Sequence, residues 1–433
     1  MMKNKILFLM LAMMCVSLSS AYEHIWGRYD LIDTGNDVTR SIAYDPLSDH
    51  VYVATRINDN PSVIVLDPEN GNTLDTLKRP EDGYSGGVYP LNMVSVDGDG
   101  AIYVCNLSVP AINAADKFKI YKYSDKDSEP QVVFENALEG KRFGDSFAAC
   151  GKGENVHIYT SGMGNDGLAV LTPGVDSLQI DALLSLPGMG AARHGISPVE
   201  PGGDLWINGT DASTFPVHLL DAQGNVKTVV PDSLIASGSS TVLNWEVENM
   251  HVLTVANPFL SNTLRSVQYE VYSDALGDSY TFDFLGNNSD SLLFAYEGTT
   301  MNNNINGSAS LAYDTTRHHM YVVMGVNSVT AIDLNPVLQI ASPRDRGHFT
   351  VQVDGMNVEY TNYDHIETSG ERRLYANWSE QLMYLALSGN SLYADYQSQQ
   401  LYIAFDTDPE GDNGSTARRP WTGEYSHCPL RRM

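Results

Sequence analysis

A short strand-like segment with an aromatic at its centre returns along the chain, and this recurrence limits the available folds more than any other feature. The copies are Val51-Tyr52-Val53, Ile102-Tyr103-Val104, His157-Ile158-Tyr159, Leu205-Trp206-Ile207 and Met320-Tyr321-Val322, with a weaker copy at Val252-Leu253-Thr254. Positions 52, 103, 159, 206, 253 and 321 are separated by 47 to 68 residues. A unit of that size holding several short strands cannot bury both faces by itself, so it must stack on copies of itself.

The first unit shows the internal order. Ser41-Ile-Ala-Tyr-Asp45 reads as a strand ended by Pro46. His50 to Ala54 is a second strand after a turn at Asp49, and Val63-Ile-Val-Leu-Asp67 is a third. Pro68-Glu-Asn-Gly71 supplies a turn, since proline presets φ and glycine accepts positive φ. Thr73 to Lys78 is a poorer fourth strand. The unit from Ser310 repeats the pattern through Ser310-Leu-Ala-Tyr-Asp314, His319 to Met324 and Val329-Thr-Ala-Ile-Asp333, and lacks a fourth strand before Pro336. Trp26 to Ile32 can supply it from the other end of the chain, which would close the ring and remove an exposed edge. The expectation is an all-β chain, with a six-bladed β-propeller over 22–338. The long interval between 253 and 321 leaves a seven-bladed alternative open, or an Asn-rich insertion over Met301 to Ser308. In this part the sequence resembles bacterial propellers with YVTN-like or NHL-like repeats. That resemblance implies a fold, which hosts binding proteins, lactonases, lyases and scaffolds alike.

The pattern changes near Pro343, and residues 339–433 read as a second domain. Asp354-Gly, a strand ending at Trp378, Gln381-Leu-Met-Tyr-Leu-Ala-Leu387 and Gln400-Leu-Tyr-Ile-Ala-Phe-Asp406 running into Thr407-Asp-Pro resemble a DOMON-like β-sandwich related to family 9 carbohydrate-binding modules. The resemblance implies sugar binding. No Met and His pair matches the haem ligands of the cytochrome-like members. The match ends early, and Cys428 to Met433 does not read as a strand, so an incomplete β-sandwich from a reading frame truncated or shifted near His427 is expected.

The N-terminus reads as an export signal. Lys3 and Lys5 precede the apolar run Ile6 to Val16, and Ser19-Ser20-Ala21 offers small residues for cleavage after Ala21. The run is too short to span a membrane, which takes ~20 residues, and no later stretch is a transmembrane segment. Met14 before Cys15 disfavours a lipoprotein. The expected location is secreted, periplasmic or at the cell surface. Removing residues 1–21 takes away two lysines and no acid, so the formal charge moves from −27 to −29. Such a chain repels nucleic acid and anionic lipid. Its expected partner is a glycan or another cell-surface component.

No CxxC, HExxH or Walker signature occurs. Cys105 and Cys150 lie in apolar strands, where small buried hydrophobes are the ordinary role. The sequence therefore commits no residue to catalysis. The candidates are Asp145, Arg193 and His194, which with Arg40, Asn92 and Asn244 fall near the starts of inner strands, where a propeller's central channel opens. His318-His319 is a turn pair that would point to opposite faces, which disfavours shared metal ligation. Asp406, Asp408, Glu410 and Asp412 alternate around Gly411 like the first half of a calcium loop, but Ala417 stands where an EF-hand needs Glu, so calcium competes there with a solvated turn. Asp97-Gly-Asp-Gly100 reads as a turn, with metal as the lesser alternative. Trp421, in a loop, and Trp378, at a strand end, are the candidates to stack on a sugar; for Trp378 core packing is the ordinary alternative. The leading function is a non-catalytic binding or surface-interaction protein. A hydrolase or lyase working on polysaccharide or lactone in the channel is the alternative.

Overall fold

Alternating or continuous apolar residues bounded by Asp, Pro, Asn and Gly give three-residue to nine-residue strands and, among the described residues, almost no helix. The computed structural model describes residues 23–338 apart from 34, 165, 187–194, 209–215, 232–233, 235–240, 248–249, 258–264, 274–279, 288–307 and 336–337, and beyond them the strands at 365–369, 372–378 and 383–388. The chain divides into two compact units, Met1–Leu338 and Gln339–Met433.

Unit one is a six-bladed β-propeller of four-stranded antiparallel sheets. Blade one is β2 (Thr39–Asp45), β3 (His50–Thr55), β4 (Ser62–Leu66) and β5 (Thr73–Thr76). Blade two is β6 (Tyr89–Val96), β7 (Ile102–Leu107), β8 (Phe118–Tyr123) and β9 (Gln131–Asn136). Blade three is β10 (Ser146–Cys150), β11 (His157–Ser161), β12 (Gly167–Pro173) and β13 (Leu178–Ser185). Blade four is β14 (Gly195–Pro198), β15 (Leu205–Asn208), β16 (His218–Leu220) and β17 (Val226–Val229), and blade five is β18 (Thr241–Val247), β19 (Met250–Asn257), β20 (Arg265–Ser273) and β21 (Tyr280–Asn287). Blade six combines β22 (Ala309–Asp314), β23 (His319–Met324) and β24 (Ser328–Asp333) with β1 (Glu23–Gly27) from the opposite end. The first strand of each blade touches the first strand of the next, all the way round.

The recurrent aromatic has a physical role. It lies on the second strand of its blade, and Tyr52, Tyr103 and Tyr321 are at most 1% exposed. Burying so large a ring is worth a few kcal/mol, but its hydroxyl then needs a partner. The aspartate ending the first strand supplies one. Tyr103 donates to Asp97 at 3.1 Å and Tyr321 to Asp314 at 3.3 Å. In blade one Ser48 bridges, bonding Asp45 and lying 3.3 Å from the Tyr52 hydroxyl. The same aspartates accept the N–H groups of the following turn, so one residue ends the strand, closes the hairpin and satisfies the core. In the Asp97 turn the oxygens are spoken for: Asp97 accepts from Asp99, Ala101 and Tyr103, and Asp99 from Gly153. The segment is the turn between β6 and β7.

Apolar faces meet between blades. Tyr52, Val63 and Val65 of blade one pack with Leu91, Ile102 and Tyr121 of blade two, and corresponding layers join blades two to three, three to four, four to five and six to one. Strands inside these layers are buried on both faces and read as continuous apolar runs rather than alternating ones. The outermost strand does not, and β5 is exposed at every residue.

Closure comes from the N-terminal strand, with a correction to its bounds. The strand runs Glu23–Gly27, not Trp26 to Ile32, and pairs antiparallel with β24. Beyond Gly27 the chain turns inward to bury Leu31 and Ile32 in the core. Trp26 lies on Tyr321 with ring centroids 5.9 Å apart, and its indole N–H donates to Pro68 O of blade one at 2.9 Å. Gly71 is required beneath that ring: its φ is +69°, and a Cβ there would stand 2.7 Å from Trp26 Cδ2. Arg28 then reaches Gly71 O at 2.7 Å. On another part of the same junction Arg317 of blade six binds Asp49 of blade one and its own Asp314.

Unit two contains one described sheet, β25 (His365–Ser369), β26 (Arg372–Trp378) and β27 (Met383–Ser388), in that order and antiparallel. Trp378 ends β26 as its sequence pattern implies. Trp421 and the acidic run Asp406, Asp408, Glu410 and Asp412 lie outside the described residues.

Candidate functional site

The first strands begin at one end of the channel, and side chains from distant parts of the sequence converge there. Arg40 on β2 is 5% exposed and Asn92 on β6 is fully buried. The Arg40 guanidinium donates to Ser308 Oγ at 2.8 and 3.1 Å and to Asn92 Oδ1 at 3.2 Å. It pairs with Asp37 Oδ2 at 3.2 Å and stands 3.9 Å from Asp145 Oδ1. Asn92 spends its amide N–H on Gly144 O at 2.6 Å. Gly144 occupies φ +99° with Asn106 O so close that a Cβ would lie 2.1 Å from it, so the residue before Asp145 must be glycine.

Asp145 is locked. Arg142 holds both its oxygens, Nε to Oδ2 at 2.5 Å and Nη2 to Oδ1 at 2.7 Å, and the Met163 N–H adds a third bond at 2.8 Å. Burial opposes the charge of this carboxylate. The Arg142 bonds, the Arg40 and Arg142 charges and the Met163 N–H outweigh it, so Asp145 titrates below the ordinary carboxylate range.

Arg56, just after β3, completes the cluster. It lies over the Tyr89 ring at 3.9 Å and donates to Leu91 O, Asn92 Oδ1 and Asp37 O. Burial first, then the Arg40 charge, lowers it to about 10. One oxygen of Asp37, Oδ1, is buried without a partner.

Of the sequence candidates, Arg40, Asn92 and Asp145 are therefore brought together. Asn244 is not part of that group: it sits midway along β18, with its backbone N–H on Ser197 Oγ at 2.7 Å. Arg193 and His194 lie outside the described residues. His318 is in the turn with φ +59° and its Nδ1 is 2.8 Å from the Tyr313 hydroxyl, while His319 opens β23 with its pKa lowered by burial. Among the described residues no group of three His, Cys, Asp or Glu is placed to hold a metal. Cys105 and Cys150 are free thiols.

The sequence reading missed Asp37, Arg56, Arg142 and Ser308. A signal for two of them existed in the i,i+3 pairs Asp37-Val-Thr-Arg40 and Arg142-Phe-Gly-Asp145 that straddle strand starts. None existed for Ser308, which meets Arg40 across 268 residues of chain.

No family model matches the chain, and no curated protein matches it. Among solved structures it is similar to a DUF4623 family protein from Bacteroides eggerthii, with 15% identity and a TM-score of 0.52 over 69% of this chain and 71% of that one. That likeness is one of fold. More distant matches are a gluconolactonase from Xanthomonas campestris (11% identity, TM-score 0.39, 70% of this chain and 87% of that one) and a chain of a nidogen/laminin complex (14%, 0.36, 57% and 83%). Neither carries an argument about this chain.

Below the polar cluster the channel continues as a cavity of about 270 Å³, walled by the first strands of all six blades. Serines on these strands stitch neighbouring blades. Ser41 bonds the N–H and C=O of Val94, Ser310 those of Ile42, Ser95 the N–H of Ala149, and Ser197 that of Asn244.

Proposed function

We propose that this chain is an exported, non-catalytic binding protein that uses the propeller channel for recognition. The observation that carries this reading is the state of Asp145. A general base needs a pKa near the working pH and a free lone pair facing the substrate. Asp145 has both oxygens on Arg142, a backbone N–H on one of them, and a lowered pKa. Its geometry is that of a structural counter-ion. Export is supported by Lys3, Lys5, the Ile6 to Val16 run and the Ser19-Ser20-Ala21 site. The resemblance of the C-terminal segment to carbohydrate modules supports a glycan as ligand, with Trp421 and Trp378 as stacking faces and Asp406, Asp408, Glu410 and Asp412 as a calcium loop.

The test is a glycan array on the secreted 22–433 chain, with and without calcium, followed by product analysis of every glycan that binds and of lactones. Binding without conversion supports the reading. Turnover of a bound glycan or lactone would establish the hydrolase or lyase alternative instead.

A further inference from the structure

Arg56 is a buried cation without an anion. The residue is 7% exposed, and its hydrogen bonds go to neutral oxygens: Leu91 O at 3.0 Å, Asn92 Oδ1 at 3.2 Å and Asp37 O at 2.7 Å. Among the described residues no carboxylate pairs with it. Asp37 reaches Arg56 through its backbone carbonyl and gives its carboxylate to Arg40 at 3.2 Å and to the Ser308 hydroxyl at 2.5 Å. The other guanidinium groups at the channel mouth are matched, Arg40 by Asp37 and Arg142 by Asp145. Burial weighs against the Arg56 charge, and Arg40 repels it more than Asp37 attracts it, which is why its pKa falls to about 10. Holding a buried charge unpaired is costly. A chain with 53 acidic residues against 26 basic ones does not leave an arginine unmatched for want of carboxylates.

The groups around this charge are open to a ligand. A guanidinium has more N–H groups than these bonds use, and Nε and one terminal N–H of Arg56 are left over. Nε is not sealed in the interior, in contrast to Asp37 Oδ1 and Ser146 Oγ. The Tyr89 ring stacks 3.9 Å from the guanidinium carbon and is half-buried at the start of β6. Its hydroxyl also has no partner and is not sealed. Two N–H groups on one guanidinium are the donor set that an oxyanion takes side by side. One unmatched positive charge suits an oxyanion of charge −1. A phosphate monoester carries about −1.5 to −2 at pH 7, and the formal charge of −27 repels polyanions.

From these features we infer that the channel mouth binds a sugar through one singly charged oxyanion, a carboxylate or a sulfate ester, held by Arg56 with the Tyr89 hydroxyl as a further donor. This rests on the binding role proposed above and names the ligand class of the channel.

The experiment is calorimetric titration of the full secreted chain with three pairs of sugars: glucose and glucuronate, galactose and galacturonate, N-acetylglucosamine and its 6-sulfate. The comparison uses the wild type, Arg56→Gln and Tyr89→Phe. Far-UV circular dichroism and the urea midpoint establish that each variant is folded. Tyr89→Phe removes only a hydroxyl without a partner and should fold as the wild type does, so it decides the matter if Arg56→Gln does not fold. At least one charged sugar should bind about tenfold or more tightly than its neutral parent, as a hydrogen-bonded ion contact provides. Binding by the uronates alone identifies a carboxylate, and binding by the 6-sulfate alone a sulfate ester. Arg56→Gln should weaken the charged sugar about tenfold or more and Tyr89→Phe about threefold to tenfold. Equal or tighter binding of the neutral parents would overturn the inference. So would charged-sugar binding unchanged in the folded variants, or no binding of these sugars while array ligands still bind; in those two cases the binding role survives and the assignment to Arg56 falls. Absence of both charged-sugar and array binding would remove the binding role as well.

Discussion

Trp26 tests how the ring is closed. It is 6% exposed, stacks on Tyr321 of blade six and donates to Pro68 O of blade one. Trp26→Ala should cost about 3–5 kcal/mol, the range for a buried large aromatic, of which roughly 1 kcal/mol is the indole hydrogen bond. Gly71→Ala attacks the same contact from beneath. A left-handed conformation costs a residue with Cβ about 1–2 kcal/mol, and the 2.7 Å approach to the Trp26 ring adds about 1–3 kcal/mol of overpacking. In a Trp26→Ala background the overpacking disappears and only the backbone strain remains. The two changes should therefore be non-additive by about 1–3 kcal/mol. The assay is urea unfolding followed by far-UV circular dichroism, with the m-value checked for constancy. A Trp26→Ala cost below about 1 kcal/mol, or strict additivity, would refute the claim that β1 clasps blade one to blade six.

Three further outcomes follow from the geometry. Arg317→Met should cost about 1.5–3 kcal/mol at pH 7, the range for hydrogen bonds to charged groups, because Asp314 is left buried without its cation. Asp49 and Asp314 are held below their ordinary pKa with Arg317 as partner, so this contribution is complete above about pH 4 and is lost as the pH falls through their lowered values; a cost that grows in acid would contradict it. The His319 pKa is lowered by burial, so the unfolded chain takes up the proton first, and wild-type stability relative to His319→Gln should be full above about pH 6.5 and decline below it. Stability profiles of the two proteins that stay parallel from pH 7.5 to 5.5 would show the imidazole to be exposed. Asp145→Asn should destabilise by about 3–5 kcal/mol, as expected when one partner of a buried ion pair is removed; a neutral effect in urea unfolding would show that the Arg142 fork is not needed for the fold.

Much of the blade structure is legible in the sequence because each signal is local. Ser41 to Asp45 and Ser310 to Asp314 show the first strand, its terminating aspartate and the turn, and the buried tyrosine follows within a few residues. The first strand's bounds were harder to read. Trp26, Tyr29, Leu31 and Ile32 are strand-forming residues interrupted only by Gly27, Arg28 and Asp30, and nothing local shows that Leu31 and Ile32 serve the core instead of the β24 ladder. The cluster at the channel mouth was half visible. Strand starts mark Arg40 and Asp145, but Asn92 and Asn244 are each the fourth residue of their strand, and only the tertiary structure shows that Asn92 is the one that meets Arg40.

The sequence by itself determined the repeating unit, the all-β class and the joining of the N-terminal strand to the last blade, because strand, turn and period are short-range properties of a chain. Tertiary structure decided which groups are free to act. Arg142 and Arg56 look alike in sequence, yet Arg142 is consumed by Asp145, while Arg56 bonds only neutral oxygens. Asp145 looks like a general base until Arg142 and Met163 are seen to hold it. Whether a polar side chain is a reagent, a ligand contact or a brace depends on what the neighbouring blade sets within hydrogen-bonding distance, and that is fixed only when the ring closes.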